Sequence, residues 1–360
     1  NGYQHNDSFP GSHPLAVGPL GYNGSKAAME LISKADVVLA LGTRLNPFST
    51  LPGYGIDYWP KKATIIQVDM NPDRIGLTKK VSVGICGDAK QVAQQILDKL
   101  SSDAGNTGRE ERKNLIHKTK SAWLQTLSGL DHEEDDPGTV WNKEARERDK
   151  DRMSPRQAWR AIQDALPQDA IISSDIGNNC AIGNAYPTFE KPRKYLAPGL
   201  FGPCGYGFPA ILGAKIGCPD TPVVGFAGDG AFGISMNEMS SCAREEWPAI
   251  TMVIFRNYQW GAEKRNSILW FDDNFVGTEL DPELSYAKVA NACGLKGVTC
   301  KTMEETTKAI KQSCEDQKNG LTTFIEIILN QELGEPFRRD AMKKPVEVAG
   351  VNKNDMKPQK

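Results

Sequence analysis

The sequence predicts an α/β protein made of two doubly wound units with parallel sheets, the first partial and the second complete. Apolar runs of strand length alternate with helical patterns over most of the chain, which is typical of strand–helix–strand units. Polar residues follow several of these runs, as expected where parallel strands end at one edge of an open sheet. The predicted divisions are a first unit at 1–100, a charged helical linker at 101–153, a second unit at 154–332 and a tail at 333–360.

The first unit has about three predicted strands. After the helical pattern SKAAMELISKA come three apolar runs and one further helix, at 37–41, 65–69, 83–85 and 89–100. Three strands are fewer than an independent unit of this kind usually has, so we interpret this region as the C-terminal part of a middle domain. A sheet cut short should leave an unpaired edge. The sequence starts at Asn1 without a signal-peptide pattern, and we expect it to be a piece of a longer protein.

The predicted linker is dense in charge, with stretches such as GREERKNLIHKTK and NKEARERDKDR. Little continuous apolar pattern is visible between the charges. We therefore expect a solvated helix followed by a connecting segment, rather than an element packed into a core.

The second unit begins at Ser154-Pro155, where a helix-capping serine precedes a proline suited to the first helical position. The helix that follows should extend to Leu166. Strands and helices then alternate, which predicts a complete doubly wound unit. The expected strands lie at 170–174, 222–227, 250–255 and 323–328, with a helix from 230 to about 245 and another at 282–292.

The strongest candidate site lies in the stretch PVVGFAGDGAFGISMNEMSSCAREEWPAITMVIFRNYQWG. Asp229 comes at the end of one apolar strand, within a Gly-Asp-Gly turn, and Asn257 comes at the end of the next strand. Both should face one crevice. A carboxylate, a carboxamide and the backbone carbonyl of Gln259 would suit Mg²⁺, which prefers oxygen ligands and often shares them with phosphate. Gly-Asp-Gly is also an ordinary turn, and that alternative stays open.

Composition excludes several classes of function. Lysine and arginine number 43 against 45 aspartates and glutamates, so the net charge of −2 does not favour binding to nucleic acid or to an acidic membrane. No apolar run approaches the roughly 18 residues of a membrane span. The eight cysteines form no CxxC pair, so we expect reduced thiols in a cytoplasmic protein, with Cys204, Cys218 and Cys293 in apolar surroundings.

The Gly-Asp-Gly turn, followed by a helix and a strand ending in asparagine, resembles the motif of the thiamine diphosphate-dependent enzymes, the superfamily of acetolactate synthase and pyruvate decarboxylase. The resemblance implies that thiamine diphosphate and Mg²⁺ are cofactors and that 154–332 is the diphosphate-binding domain. Asp229, Asn257 and Gln259 would be the metal ligands. The other implied cofactor contacts are Gly177, Asn178, Asn179, Gly202, Cys204, Gly228, Gly230, Ala231 and Gly261.

Two further segments carry the superfamily resemblance. The strand-end segment 177–179 resembles the loop that binds the diphosphate, although a polar turn is the alternative reading. The segment 202–207 resembles the loop beneath the aminopyrimidine ring, where Cys204 would support the cofactor as a small hydrophobe. A buried structural thiol is an equal alternative. One departure from the superfamily is Arg256, which stands where most members have a first asparagine.

Four stretches, TLPGYGIDYWP, VSVGICGDAK, RNYQWGAEKRN and LGEPFRRDAMKKP, resemble the sulfoacetaldehyde acetyltransferase family in particular. That resemblance implies conversion of sulfoacetaldehyde and phosphate to acetyl phosphate and sulfite, a step in taurine and alkanesulfonate degradation. Two anionic substrates require cations, and we expect Arg256, Lys264 and Arg265 to bind them. The alternatives are an acetolactate synthase-like carboligase or decarboxylase and a non-catalytic cofactor-binding fragment.

The resemblance also implies a particular assembly. In the superfamily, a glutamate of an N-terminal pyrimidine-binding domain contacts the cofactor, which lies between two subunits. No segment before Ser154 matches that domain. We therefore expect a homodimer or homotetramer formed through the missing pyrimidine domain, and we expect that this chain does not catalyse the reaction by itself.

Overall fold

The structure is a computed structural model that describes residues 1–21, 23–50, 52–101, 104–130, 147–199, 201–271 and 274–332. These residues form two parallel sheets, one of three strands and one of six. The predicted α/β fold with one small and one complete parallel-sheet unit is therefore confirmed. The predicted strands begin and end within one residue of the observed ones, because each is a compact apolar run bounded by turn residues.

The first sheet has the order β1-β2-β3. Strand β1 lies at its edge, and Val37, Leu39 and Leu41 on one face of that strand are exposed. The unpaired edge expected for this unit is present among the described residues. The elements are β1 (Val37–Leu41), β2 (Thr64–Asp69) and β3 (Val83–Cys86), with helices α1 (Lys26–Ile32), α2 (Pro47–Thr50) and α3 (Ala89–Lys99).

The second sheet has the order β5-β4-β6-β7-β9-β8, and all its strands run parallel. The short strand β5 and the strand β8 were not predicted. The strands are β4 (Ile171–Ser174), β5 (Tyr195–Leu196), β6 (Val223–Gly228), β7 (Thr251–Arg256), β8 (Lys296–Cys300) and β9 (Thr323–Ile328). The helices are α5 (Pro155–Ala165), α6 (Asn178–Ile182), α7 (Gly207–Gly217), α8 (Asp229–Ser235), α9 (Met239–Cys242), α10 (Gly261–Trp270), α11 (Tyr286–Ala292) and α12 (Met303–Asp316).

Two apolar clusters cover the two faces of this second sheet. Phe226 and Phe255 point to one face, where both rings pack against Trp159 of α5 at centroid distances of 4.8 and 5.3 Å. On the other face, Phe208 packs against Phe232 and other rings. Because side chains alternate along a strand, central strands covered on both faces are apolar throughout. This explains the continuous apolar runs in the sequence.

The predicted start of α5 is confirmed in detail. Ser154 Oγ accepts the backbone N–H of Gln157 at 3.1 Å, and Gln157 Oε1 accepts the backbone N–H of Ser154 at 2.9 Å. This reciprocal pair satisfies two amides that the first helical turn cannot satisfy itself.

The continuous helix predicted from 230 to 245 was wrong. Helix α8 ends at Ser235, a 3₁₀ turn covers Met236–Glu238, and α9 follows. Glycines within α8 weaken its intrinsic helical propensity, which favours a short helix. The helix predicted from 282 begins later, after Ser285, whose side chain caps α11.

The expectation of a solvated linker helix was also partly wrong. Helix α4 (Arg109–Leu130) buries Thr119, Trp123, Leu127 and Leu130, which lie three or four positions apart and so share one face. Trp123 packs edge-on against Tyr54 at 5.6 Å. The charges on the other faces conceal this stripe in the sequence.

Two expectations from composition have mixed outcomes. Among the described residues, no helix is long and apolar enough to cross a membrane. All eight cysteines are free thiols. Cys204 and Cys293 are half-buried, but Cys218 is exposed, so its predicted apolar environment was wrong. Cys218 follows the last turn of α7, where the chain leaves the core.

Candidate functional site

The candidate site lies at the carboxyl edge of three adjacent strands, β4, β6 and β7. Asp175 follows β4, Asp229 follows β6 and Asn257 follows β7. Because these strands are neighbours and parallel, the three side chains come to the same edge of the sheet. The predicted meeting of Asp229 and Asn257 at one edge is therefore what the strand order produces.

Asp229 is 1% exposed, and its carboxylate accepts three hydrogen bonds. The backbone N–H of Gly230 donates to Oδ1 at 2.9 Å. The backbone N–H of Tyr258, at 2.7 Å, and Arg256 Nη1, at 3.0 Å, donate to Oδ2. Burial raises the pKa of Asp229 to about 6, although Arg256 and both amides favour the ionised form. The hydrogen-bond donors of the protein thus only partly offset the cost of burying Asp229 in its ionised form.

Arg256 is also 1% exposed, and its guanidinium contacts protein oxygens on several sides. Besides Asp229, it donates through Nη2 to the carbonyl of Leu284 at 3.0 Å and to that of Asp281. Its Nε lies 3.8 Å from Glu326 Oε1. This differs from the anion-binding role expected for Arg256, because a buried guanidinium between two carboxylates has little capacity for a substrate anion.

Asn257 and Gln259 are buried on either side of Tyr258, whose φ of 62° is a left-handed conformation. Gln259 forms an isolated antiparallel bridge with Glu279, made by hydrogen bonds of the flanking residues. In such a pair, the peptide groups of the bridge residues themselves point away from the partner strand. The Gln259 side chain donates to the Gln331 carbonyl at 3.1 Å, and its buried Oε1 has no hydrogen-bond partner among the described residues.

Asp175 is a residue that sequence reasoning did not assign to the site. It accepts the backbone N–H groups of Ile176 at 2.7 Å, Gly205 at 3.0 Å and Gly207 at 2.6 Å. Two of these bonds hold the glycine-rich loop at 202–207, in which Gly202 and Gly205 have positive φ angles of 67° and 85°. Burial raises the pKa of Asp175, and these bonds oppose that rise. The sequence feature that could have identified Asp175 as a site residue was its position directly after a buried strand.

A cavity of about 340 Å³ is lined by Gly177 and Asn178 of the segment at 177–179, by Gly202 of the glycine-rich loop, and by Asp175 and Ala262. Gly177 has a φ of 130° and open space where a Cβ would stand. Asn178 Nδ2 and Asn179 Oδ1 are buried without a hydrogen-bond partner in the described part of the chain. Unpaired buried polar atoms around a cavity are suited to a polar ligand.

Cys204 lies half-buried in the same loop as Gly202. Burial raises the pKa of its thiol, and Asp175 and Glu263 raise it further. The thiol is therefore protonated at neutral pH, which suits an apolar support better than a nucleophile. The supporting role expected for Cys204 stays a prediction.

The remaining glycines and Ala231 lie around the Asp229 turn. Gly228 has open space where a Cβ would stand, whereas a Cβ on Gly230 would lie 2.8 Å from the Trp260 ring. Ala231 is buried in the first turn of α8, and Gly261 begins α10. The short side chains here allow the backbone of one element to approach the next.

The two other expected anion-binding cations lie on α10. Lys264 Nζ pairs with Glu279 and is 3.5 Å from Gln331 Oε1, with its side chain 17% exposed. Gln331 Nε2 donates to Glu279 Oε2 at 3.0 Å, so these groups form one polar cluster. Glu279 and Gln331 were not predicted. The side chain of Arg265, and the whole of 333–360 with Arg338 and Arg339, lie outside the described residues.

The donors at the site fit one hard divalent cation shared with a phosphate group. Asp229, Arg256 and Glu326 together carry one net negative charge, because two buried carboxylates face one guanidinium. A further cation would compensate this charge. Among the described residues there is no cluster of three or more histidine, cysteine or acidic side chains, so a metal here would take most ligands from amide, carbonyl, phosphate or water oxygens.

Two family profiles match this chain. The profile described as "Thiamine pyrophosphate enzyme, C-terminal TPP binding domain" matches residues 175–327. The profile described as "Thiamine pyrophosphate enzyme, central domain" matches residues 1–96. The first match begins at Asp175, ends within β9, and contains Asp229, Asn257 and Gln259.

The chain is similar in sequence to several characterised or named enzymes. A probable sulfoacetaldehyde acetyltransferase of Rhizobium meliloti is 77% identical over 359 residues, covering 100% of this chain and 61% of the relative. The sulfoacetaldehyde acetyltransferase of Roseovarius nubinhibens is 75% identical, covering 99% and 59%. An acetolactate synthase large subunit of Buchnera aphidicola is 28% identical, covering 89% and 52%. The chain thus spans about 60% of the length of the two more similar relatives.

Proposed function

Since the chain belongs to the thiamine pyrophosphate enzymes, we propose that it forms part of an acetyltransferase that converts sulfoacetaldehyde and phosphate to acetyl phosphate and sulfite. The single observation that carries the choice of substrate is the identity of 77% to the Rhizobium meliloti relative along the whole chain. The two family-profile matches support thiamine diphosphate as the cofactor. The reaction would be a step in taurine or alkanesulfonate degradation, carried out by a cytoplasmic oligomer.

In this proposal, Asp229, Asn257 and the Gln259 carbonyl hold Mg²⁺. Asp229 supplies the negative charge, and the two neutral oxygens complete the share of ligands that the chain provides. The burial of Asp229 in a group with one net negative charge supports this role, because a divalent cation would stabilise the ionised carboxylate. The diphosphate oxygens would occupy the remaining positions around the metal.

Thiamine diphosphate, when bound, would supply the nucleophilic carbon that attacks the aldehyde. The chain's contribution is to bind and orient it. Asn178 would donate its unpaired Nδ2–H to a diphosphate oxygen, whereas the unpaired Oδ1 of Asn179 is an acceptor and would need a donor other than the diphosphate. Asp175 holds the loop that contains Gly202 and Cys204 in place beneath the ring.

Lys264 is the described cation that best fits an anionic substrate. Its pairing with Glu279 is partly exposed, so an incoming sulfonate or phosphate could replace the carboxylate at modest cost. Arg265 remains a second candidate. Arg256 is left out of this role, because it is buried against Asp229 and Glu326.

Lys264→Met tests the anion site. We expect the KM for sulfoacetaldehyde or for phosphate to rise at least about tenfold, because one charge-assisted contact is lost. Affinity for the cofactor should change little. Lys288→Met is the matched control, since Lys288 is an exposed lysine on α11. Unchanged KM values for both substrates would remove Lys264 from the proposal.

The reaction itself is tested by measuring sulfite release from sulfoacetaldehyde with and without phosphate. Three preparations are compared: this chain alone, this chain with the part of the Rhizobium meliloti relative that it does not cover, and that relative complete. We expect phosphate-dependent sulfite release in the second and third preparations and none in the first. Turnover by this chain alone would contradict the expected need for a further domain.

The same assay separates the two alternative functions. An acetolactate synthase-like enzyme would release carbon dioxide from a 2-oxoacid and no sulfite. The low identity of 28% to an acetolactate synthase subunit does not favour that outcome. Binding of thiamine diphosphate without turnover in any preparation would identify a non-catalytic module.

A further inference from the structure

We propose that Arg256 is a positioning residue that orients Asp229 toward a divalent cation. The proposal rests on the cofactor role proposed above. In it, Arg256 acts through Asp229 and contacts neither substrate nor cofactor. Arg256 ends β7 and directly precedes Asn257, a second proposed metal ligand.

The hydrogen bonds of Asp229 distinguish its two oxygens. Oδ2 accepts two donors, Arg256 Nη1 at 3.0 Å and the Tyr258 amide at 2.7 Å. Oδ1 accepts the Gly230 amide at 2.9 Å. A carboxylate oxygen has two lone-pair sites, so Oδ2 is saturated and Oδ1 retains one. Arg256 therefore fixes which oxygen is available for a cation and in which direction it points.

The guanidinium is itself held in a frame of protein oxygens. Its Nη2 donates to carbonyls that precede α11, and its Nε lies 3.8 Å from Glu326 Oε1 of β9 without a hydrogen-bond partner among the described residues. Glu326 accepts the Ser285 hydroxyl at 2.7 Å and the Tyr286 amide at 3.1 Å. The Tyr286 hydroxyl also donates to the backbone carbonyl of Asp229 at 2.9 Å. The start of α11 thus supports both the main chain and the side chain of Asp229.

This arrangement requires the shape of arginine as well as its charge. Arg256 bonds a carboxylate through one nitrogen and two carbonyls through another, while its Cζ lies 4.2 Å from the centroid of the Tyr258 ring. A lysine ammonium is a single point donor and cannot make these contacts together. Support of a metal ligand by an outer group typically affects metal affinity by about 10- to 100-fold.

The test measures Mg²⁺ affinity at saturating thiamine diphosphate, on the preparation that releases sulfite. Arg256→Lys and Arg256→Asn should each weaken Mg²⁺ binding at least about tenfold. The shift in melting temperature caused by Mg²⁺ and cofactor together should shrink in both variants, because ligand stabilisation follows affinity. Arg244→Gln is the control, since Arg244 forms an exposed pair with Glu246.

The outcomes separate positioning from other roles. A structural role would lower the melting temperature with and without ligands by equal amounts, and that result would overturn the proposal. Wild-type Mg²⁺ affinity in Arg256→Lys would show that charge alone suffices, which also overturns it. If the arginine variants do not fold, Glu326→Gln loosens the frame with little change in shape. We expect it to weaken Mg²⁺ binding by about threefold or more, and an unchanged affinity would contradict the proposal.

Failure of the proposed cofactor assignment gives a different result. In that case the unsubstituted protein would bind neither Mg²⁺ nor thiamine diphosphate, and the positioning role would fall with the cofactor assignment. Binding by the unsubstituted protein with equal binding by every variant would overturn the role of Arg256 alone.

Discussion

Asp175 and Asp229 occupy equivalent positions in the sequence pattern but have different surroundings in the fold. Each follows a buried strand, β4 or β6, and each is almost fully buried. Asp175 accepts three backbone amides, two of them from the glycine-rich loop. Asp229 accepts two amides and a guanidinium, and that guanidinium also faces a second buried carboxylate, Glu326.

The difference shows how one kind of strand end can serve two purposes. A carboxylate whose lone pairs are taken by amides organises a loop, because each bond fixes a backbone position. A carboxylate that shares its site with other charges is a place where a cation can enter. Burial raises the pKa of both groups, so burial alone does not distinguish them.

The largest expected effect is the loss of the metal ligand. Asp229→Asn removes the negative charge while keeping the side-chain shape, so Mg²⁺-dependent binding of thiamine diphosphate should weaken by more than about 100-fold, beyond the range for outer-shell groups. Calorimetric titration measures this, and circular dichroism checks that the fold persists. Cofactor binding at wild-type strength would remove Asp229 from the metal site.

Asp175→Asn should have a smaller and different effect. The asparagine Nδ2 would face an amide donor, so at least one bond to the loop is lost and a donor is left unpaired. The free energy of unfolding should fall by about 1.5–3 kcal/mol, the range for hydrogen bonds to charged groups. Urea denaturation measures this, with Asp164→Asn on the exposed face of α5 as control.

Asp175→Asn should also separate the roles of the two carboxylates in binding the cofactor and the metal. Thiamine diphosphate affinity should fall, while the Mg²⁺ concentration needed at saturating cofactor should stay close to wild type. If the Mg²⁺ requirement changes as much as it does in Asp229→Asn, the two carboxylates do not have separate roles.

The pH dependence of stability should identify Asp229 in the metal-free protein. Its pKa is about 6 in the folded state against about 3.8 when unperturbed, so the folded state binds more protons between these values. The contribution of Asp229 to the free energy of unfolding is therefore greatest below about pH 4. It declines as pH rises through 6, by about 3 kcal/mol in total. Denaturant unfolding between pH 4 and 7 measures the decline.

Comparison with Asp229→Asn isolates this contribution, since other carboxylates titrate in the same range. The variant should have a flatter profile between pH 4 and 6. Mg²⁺ with cofactor should restore stability above pH 6 in the unsubstituted protein, because the metal favours the ionised carboxylate. Parallel profiles for the two proteins would contradict the raised pKa of Asp229.

The smallest effect is expected in the loop that Asp175 holds. Gly205 has a φ of 85°, and a Cβ there would lie 3.0 Å from Ile234 Cγ2. Gly205→Ala should therefore cost about 1–2 kcal/mol in left-handed strain. Gly213→Ala is the matched control, because Gly213 lies within α7 with open space around it, and it should not destabilise the protein. Equal stabilities would show that the loop adapts.

Local sequence patterns were enough to predict the class of the fold, the bounds of most strands and the placement of Asp229 and Asn257 at one edge of the sheet. These follow from local patterns and from one general rule, that parallel strands end at a common edge. Four strands of the six-stranded sheet and the capped start of α5 were also accessible from local patterns, whereas β5 and β8 were not.

Only the tertiary structure decided which groups face one another at that edge. Arg256 looked like an available cation beside the cofactor motif, yet the packing of β7 between β6 and β9 buries it between two carboxylates. Asp175 was not assigned to the site from the sequence, yet it bonds amides about 30 positions away. The apolar stripe of α4 was hidden among charges in the same way. A side chain's partners depend on contacts between elements distant in sequence, and local patterns carry no information about those distances.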